Sequence, residues 1–267
     1  MKDVIGFVGS GNMAEAIISA IVKNGFSAKR VFISDIDNTR LNYVSQKYRV
    51  QKCGSNTEVV KQSDIVFLAV KPYQIEEVLK EISGLIKQTQ IVISIAAGIR
   101  TQKIEKYLKK ISVIRVMPNT PAVIGEGAIA ICKGRYTKTK DMELAEKLLS
   151  YCGIVVKVSE KVMDAVTAIS GSGPAYIFYI AEIIQKTAQK IGLQKKVAQK
   201  LVNQTLLGAA KMIILSDETP EILRQKVTSK KGTTEAAFRV LTKQNFAKIL
   251  EQAIISAMKR AKNLSLV

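Results

Sequence analysis

Gly9-Ser10-Gly11-Asn12-Met13-Ala14 is the stretch of this sequence whose residue types and spacing point most directly to chemistry. It fits G-x-G-x-x-G/A, a spacing that cradles the pyrophosphate of a dinucleotide. Gly9 allows a tight turn, Gly11 lets the backbone approach the phosphates, and Ala14 lets a helix lie close to the strand before it. The first N–H groups of that helix and its positive dipole end then face the anion. An ordinary strand–helix turn would also satisfy the spacing. The apolar run Val4-Ile5-Gly6-Phe7-Val8 before it and the amphipathic residues 14–23 after it supply the strand–turn–helix context the fingerprint needs.

Asp35 follows the next apolar run, about twenty residues beyond the glycine turn, where a Rossmann fold places its ribose-reading acid. An Asp there favours a free 2′-hydroxyl and hence NAD. Ser34, Asn38, Thr39 and Arg40 could instead receive a 2′-phosphate and hence select NADP. Asp35 or Asp37 could also simply cap the following helix. All three readings stay open. Lys71, in Lys71-Pro72 after the apolar run 64–70, stands where ligands bind in parallel sheets. The small residues Ala96-Ala97-Gly98 would let a flat ring approach the backbone. The chain has no histidine, so Ser–His and Cys–His nucleophiles and histidine bases are excluded.

These groups must be held by strands and helices that alternate. Strands are expected at residues 30–34, 64–70, 91–95, 112–116, 125–131 and 153–158. Helices are expected at 39–47, 58–62, 74–85, 101–108 and 141–151. Alternation of this kind argues a doubly wound, mostly parallel α/β sheet. Near Lys161 the pattern changes to helical periodicity without strands. Ser170-Gly171-Ser172-Gly173-Pro174-Ala175-Tyr176 opens a long helix, with Pro174 in its first turn. Further helices are expected over 195–215, from Thr219-Pro220 onward, and over 235–241 and 246–263. The expected fold is therefore an N-terminal Rossmann-type domain, residues 1–160, followed by an all-helical domain, residues 161–267. The apolar content of the second domain invites a partner subunit or burial within one chain.

Composition narrows the class. A chain of 267 residues with 47% hydrophobic content can build a full core. Cys53, Cys132 and Cys152 are widely spaced and form no C-x-x-C, so neither a metal site nor a disulfide framework is expected. That usage fits a cytoplasmic location, as does a start that runs directly into a strand without a signal peptide. No apolar run approaches the roughly 20 residues that span a bilayer. The charge of +19 comes from 41 basic and 22 acidic residues. The basic residues are scattered and not interleaved with aromatics, so they read as a solvated surface rather than a nucleic-acid face. Their field would still attract anionic substrates and cofactors.

Together these stretches resemble the pyrroline-5-carboxylate reductase family over essentially the whole chain. The glycine fingerprint is generic. Met117-Pro118-Asn119-Thr120-Pro121-Ala122, Ser170 to Tyr176 and Val227 to Thr234 carry the resemblance more specifically, with Ala69-Val70-Lys71-Pro72 and Ala96-Ala97-Gly98 between them. The resemblance implies reduction of the C=N bond of 1-pyrroline-5-carboxylate to L-proline. It also implies a helical dimerisation domain, homodimers, higher oligomers such as rings of dimers, and NADP or NAD with a lean to NADPH. By resemblance, Gly9, Ser10, Gly11, Asn12 and Met13 hold the pyrophosphate, while Ser34, Asp35 and Asn56 lie on the adenosine side. Ala69, Val70, Lys71, Pro72, Ala97 and Gly98 line the cofactor, and Asn119 and Thr120 lie towards the nicotinamide. Ser229, Gly232, Thr233 and Thr234 bind the cyclic imino acid, and Thr234 reaches its ring nitrogen as the catalytic residue.

The sequence departs from the family at this last loop. Lys230-Lys231 stands where the family has Pro-Gly. Proline pre-sets φ and glycine tolerates φ > 0, whereas a lysine forced into that conformation costs on the order of 1 kcal/mol. The lysines could obstruct a carboxylate cradle, help attract an anion, or be neutral. Alternative readings are therefore a reductase for a related imine or keto acid, and a catalytically weak NAD(P)-binding paralogue with a regulatory role.

Overall fold

The structure is a computed structural model and describes residues 3–264. The expected domains run to residues 1 and 267, so residues 1–2 and 265–267 of those expectations lie outside the described residues. The first unit holds an eight-stranded sheet. Its strands are β1 (Ile5–Val8), β2 (Val31–Ser34), β3 (Gln51–Lys52), β4 (Ile65–Leu68), β5 (Ile91–Ser94), β6 (Ser112–Met117), β7 (Gly127–Lys133) and β8 (Gly153–Lys157). They lie in the order β3-β2-β1-β4-β5-β6-β7-β8. Every pairing is parallel except β6 with β7. The link from β6 to β7 is a short turn over Thr120–Ile124 with Gly125 left-handed at φ +81. Such a link returns a chain antiparallel, whereas parallel neighbours need a helical crossover.

Those crossovers are α1 (Asn12–Lys23), α2 (Asn38–Tyr48), α3 (Asn56–Gln62), α4 (Ile75–Ile82), α5 (Thr101–Leu108) and α6 (Thr139–Leu149). Alternate residues of the central strands supply the two faces of the sheet. Ile5, Phe7, Ile65 and Phe67 pack with Ile17 and Ile21 of α1 and Val44 of α2. Val8, Val66 and Leu68 pack with Val59 of α3 and with Ile75 and Leu79 of α4. Phe7 and Phe67 stack with ring centroids 4.6 Å apart. Full burial of side chains of this size stabilises by about 1.5–3 kcal/mol each. This is the doubly wound architecture expected from the alternation of strands and helices.

Several boundaries differ from the sequence reading. α1 begins at Asn12, immediately after Gly11, so the fingerprint itself forms the first turn. β3 was not expected; both of its residues are exposed and carry no apolar signal. The long helix expected to open at residues 170–176 is preceded by further helical turns. α7 (Met163–Val166) and a π-type turn over Thr167–Gly171 lead directly to α8, which starts at Gly173.

From residue 161 on, the described residues contain no strand. The remaining helices are α8 (Gly173–Lys190), α9 (Lys195–Leu215), α10 (Pro220–Lys226), α11 (Thr233–Lys243) and α12 (Phe246–Leu264). By contacts, residues up to Ser172 and those from Ala257 on form one compact unit, and Gly173–Ser256 the other. Within that second unit, Ala188, Ala198 and Val202 are the buried hydrophobic residues, while Phe178, Leu201, Ile214 and Leu215 are exposed in the single chain. A helical unit with so small an interior leaves most of its apolar surface uncovered within the unit. Among the described residues no helix is long and apolar enough to cross a membrane.

Candidate functional site

A cleft of about 940 Å³ lies in the first unit. It opens at the C-terminal ends of β1 and β4, where the strand order reverses and where such sheets bind ligands. Gly9, Gly11, Asn12 and Met13 line it together with Ala69, Val70, Lys71, Pro72 and Ala97. Gly9 holds φ +95, and a Cβ there would lie 2.8 Å from the carbonyl oxygen of Ala69. A side chain at this position is excluded by both conformation and space. A Cβ on Gly11 would meet nothing within 4 Å, so Gly11 presents open backbone towards the cleft. No side chain caps the N-terminus of α1, which leaves its first N–H groups to an anion. Open backbone beside an uncapped helix start fits the pyrophosphate of a dinucleotide.

The adenosine end is built around Asp35, the residue directly after β2. Its Oδ2 accepts the backbone N–H of Ser10 at 2.7 Å and the Ser10 hydroxyl at 2.9 Å. Its Oδ1 accepts the N–H of Asp37 at 3.0 Å. Asp37, not Asp35, caps α2, accepting from the N–H groups of Thr39 and Arg40. Ser10 is buried and serves the loop through Asp35. Ser34 is also buried, and its hydroxyl donates to Oδ1 of Asn56 at 2.8 Å. Nδ2 of Asn56 donates in turn to Glu81 at 2.7 Å.

Arg40 also lines the cleft, and it is already engaged. Its Nε donates to the carbonyl of Ser10 at 2.8 Å and its Nη2 contacts Glu15 at 2.5 Å. Glu15 further accepts from Lys47 and from the hydroxyl of Tyr48, each at 2.9 Å. Burial alone would push the Glu15 carboxyl up; the hydrogen bonds from Lys47, Arg40 and Tyr48 outweigh it and hold the pKa below the ordinary value. The sequence reading did not foresee Glu15, nor Gln74, Glu77, Val78 and Glu81 on the cleft lining. The i, i+3, i+4, i+7 spacing of those four puts them on one helical face, a signal that was available.

The remaining expected cofactor residues are placed differently. Gly98 is buried at φ +77, with Leu264 about 3.1 Å from where a Cβ would stand, and does not line the cleft. Asn119 is buried. Its Oδ1 accepts the N–H of Ala128 at 2.9 Å and its Nδ2 donates to the carbonyl of Ser170 at 3.1 Å. Thr120 is exposed at the start of the turn that follows.

The loop at residues 229–234 belongs to the second unit. α11 begins at Thr233, so Thr233 and Thr234 form its first turn, and no side chain caps it. The N–H of Gly232 bonds the carbonyl of Ser229 at 3.0 Å. Lys231 is left-handed at φ +62, the conformation a glycine would adopt without strain. Burial pushes the thiols of Cys132 and Cys152 up to about 12, so neither is a nucleophile at neutral pH. Among the described residues no group of three or more His, Cys, Asp or Glu side chains could hold a metal ion.

The doubly wound sheet, its switch-point cleft and the open glycine turn define a dinucleotide-binding protein of the Rossmann class. Two family models match the chain: pyrroline-5-carboxylate reductase dimerisation over residues 160–264, and NADP oxidoreductase, coenzyme F420-dependent, over residues 4–98. Pyrroline-5-carboxylate reductase 1 of Bacillus subtilis is 40% identical over 264 residues, covering 98% of this chain and 89% of that protein. The solved pyrroline-5-carboxylate reductase from Coxiella burnetii is 38% identical with a TM-score of 0.91, covering 99% of both chains. The Plasmodium falciparum pyrroline carboxylate reductase, solved with NADP bound, is 29% identical with a TM-score of 0.90, covering 99% of this chain and 98% of that one. This chain belongs to the pyrroline-5-carboxylate reductase family.

Proposed function

We propose that the protein reduces the C=N bond of 1-pyrroline-5-carboxylate to give L-proline, using NADPH or NADH. The open backbone at Gly11, at the switch point and beside an uncapped helix start, carries the cofactor half of this reading, and membership of the family supports the substrate half. The bound dihydronicotinamide supplies the hydride for the C=N carbon of the imine (C2 of the pyrroline, C5 of the proline formed); the protein supplies binding, orientation and a proton route. Gly9, Gly11, Asn12 and Met13 hold the pyrophosphate, with Ser10 fixed behind them by Asp35. Ser34, Asp35 and Asn56 serve the adenosine side. Ala69, Val70, Lys71, Pro72 and Ala97 form the wall along the cofactor, and Gly98, Asn119 and Thr120 shape the nicotinamide end.

The loop with Ser229, Gly232, Thr233 and Thr234 holds the substrate. Uncapped N–H groups at the start of α11 attract the carboxylate. The Thr234 hydroxyl orients the ring nitrogen. An imine that binds protonated needs no strong general acid, which agrees with a chain lacking histidine. Positioning in such a site can supply several kcal/mol of rate enhancement.

In this reading residues 1–160 are the dinucleotide-binding domain and residues 161–267 bind substrate and dimerise. The exposed apolar residues of α8 and α9 fit a homodimer, and dimers could assemble further into rings. The surroundings are cytoplasmic, the substrate is a small cyclic imino acid, and neither nucleic acid nor membrane is a partner. Lys230-Lys231 favours one second reading, a reductase for another anionic imine or keto acid. Oxidation of NAD(P)H by the purified protein, compared across pyrroline-5-carboxylate and other cyclic imino acids, tests the two. Preferred turnover of pyrroline-5-carboxylate supports the main reading. Turnover of another imine alone supports the second, and dinucleotide binding without any turnover supports a regulatory paralogue.

A further inference from the structure

We propose that Asp35 makes this cleft select NAD(H) over NADP(H). The inference rests on the cofactor half of the reading above and deepens it. Asp35 stands directly after β2, and three hydrogen bonds from Ser10 and Asp37 lock its carboxylate in place. A carboxylate offers about four acceptor positions, so one remains for a ribose 2′-hydroxyl. A 2′-phosphate in its place would bring close to two negative charges against Asp35 and Asp37, both of which line the cleft.

Among the cleft-lining residues, the cation nearest Asp35 in the chain is already engaged. Arg40 is held by Glu15 at 2.5 Å and by the carbonyl of Ser10 at 2.8 Å. Turning it towards a phosphate would break both contacts and strip a cation from the mostly buried Glu15. The Ser34 hydroxyl donates to Asn56, and Asn56 donates to Glu81. The cleft lining adds Glu77 and Glu81. Lys71 is the other cation on the lining, but it follows β4 rather than β2. A fixed carboxylate that accepts one hydroxyl and repels one phosphate discriminates through both terms.

Isothermal titration calorimetry of the full chain with NADH and with NADPH, without substrate, tests the proposal. NADH is expected to bind at least about tenfold more tightly, a difference of about 1.4 kcal/mol. Asp35→Ser should tighten NADPH and weaken NADH. Asp35→Asn keeps the size and an acceptor for Ser10, so it should narrow the gap with the fold intact. Wild-type protein that binds NADPH as tightly as NADH, or an unchanged ratio in both variants, overturns the proposal. Proline formation is scored separately at saturating dinucleotide. NADH preference without proline formation upholds the selectivity and removes the reductase reading; NADPH preference with proline formation does the reverse.

Discussion

The backbone N–H of Lys231 donates to Oε2 of Glu235 at 2.8 Å, closing the turn that leads into α11. Lys231 holds φ +62 in that turn, although a side chain there is strained. The loop thus keeps a glycine-like backbone despite Lys230-Lys231, and Glu235 ties it to the helix. Replacing Lys231 by glycine should remove the strain and stabilise the protein by about 0.5–1 kcal/mol in urea unfolding. A loss of stability of that size would mean the turn does not need the left-handed conformation.

Gly9 is the position where the cofactor cleft tolerates least. A Cβ would meet the Ala69 carbonyl at 2.8 Å with φ at +95. Gly9→Ala should cost about 1–3 kcal/mol of stability and weaken NADH and NADPH together. Unchanged dinucleotide affinity by calorimetry would place the pyrophosphate elsewhere.

Thr234 should behave in the opposite way. Its hydroxyl is assigned to the substrate nitrogen, so Thr234→Ala should lower kcat/KM by roughly 10- to 100-fold, the scale of one hydrogen bond to a charged group. Dinucleotide affinity should stay nearly unchanged. Equal losses in both would show that Thr234 has another role.

Arg115 on β6 is 3% exposed. It pairs with Glu160 at 3.4 Å and Asp164 at 3.6 Å. Glu160 also accepts the N–H and hydroxyl of Thr101, both at 2.8 Å, which anchors the start of α5. Arg115→Leu leaves two carboxylates without their cation and should destabilise by about 3 kcal/mol or more in urea unfolding. Adding Glu160→Gln should recover part of the loss, because the two changes share one network. Fully additive losses would contradict the coupling.

The central strands were legible in the sequence because β1, β4 and β5 are wholly buried and therefore almost entirely free of polar side chains, Ser94 at the end of β5 excepted. β3 was not, because a two-residue exposed strand is specified by its neighbour and not by its own side chains. The antiparallel turn into β7 was equally hidden, since an apolar run carries no direction. In the site, the Gly9–Ala14 turn could be read locally. The bonds of Asp35 to Ser10 and of Arg40 to Glu15 could not, because each joins residues 25 apart in the chain. That long-range pairing turns an open choice between Asp35 and Arg40 into a specific arrangement of charge.

The most direct test of the central claim follows the hydride itself. The protein is incubated with pyrroline-5-carboxylate and reduced dinucleotide deuterated at both C4 positions, and the products are analysed by mass spectrometry and NMR. The account predicts L-proline with a single deuterium at C5, formed in proportion to the dinucleotide oxidised. Dinucleotide binding with no labelled proline, or proline without deuterium at C5, would contradict it.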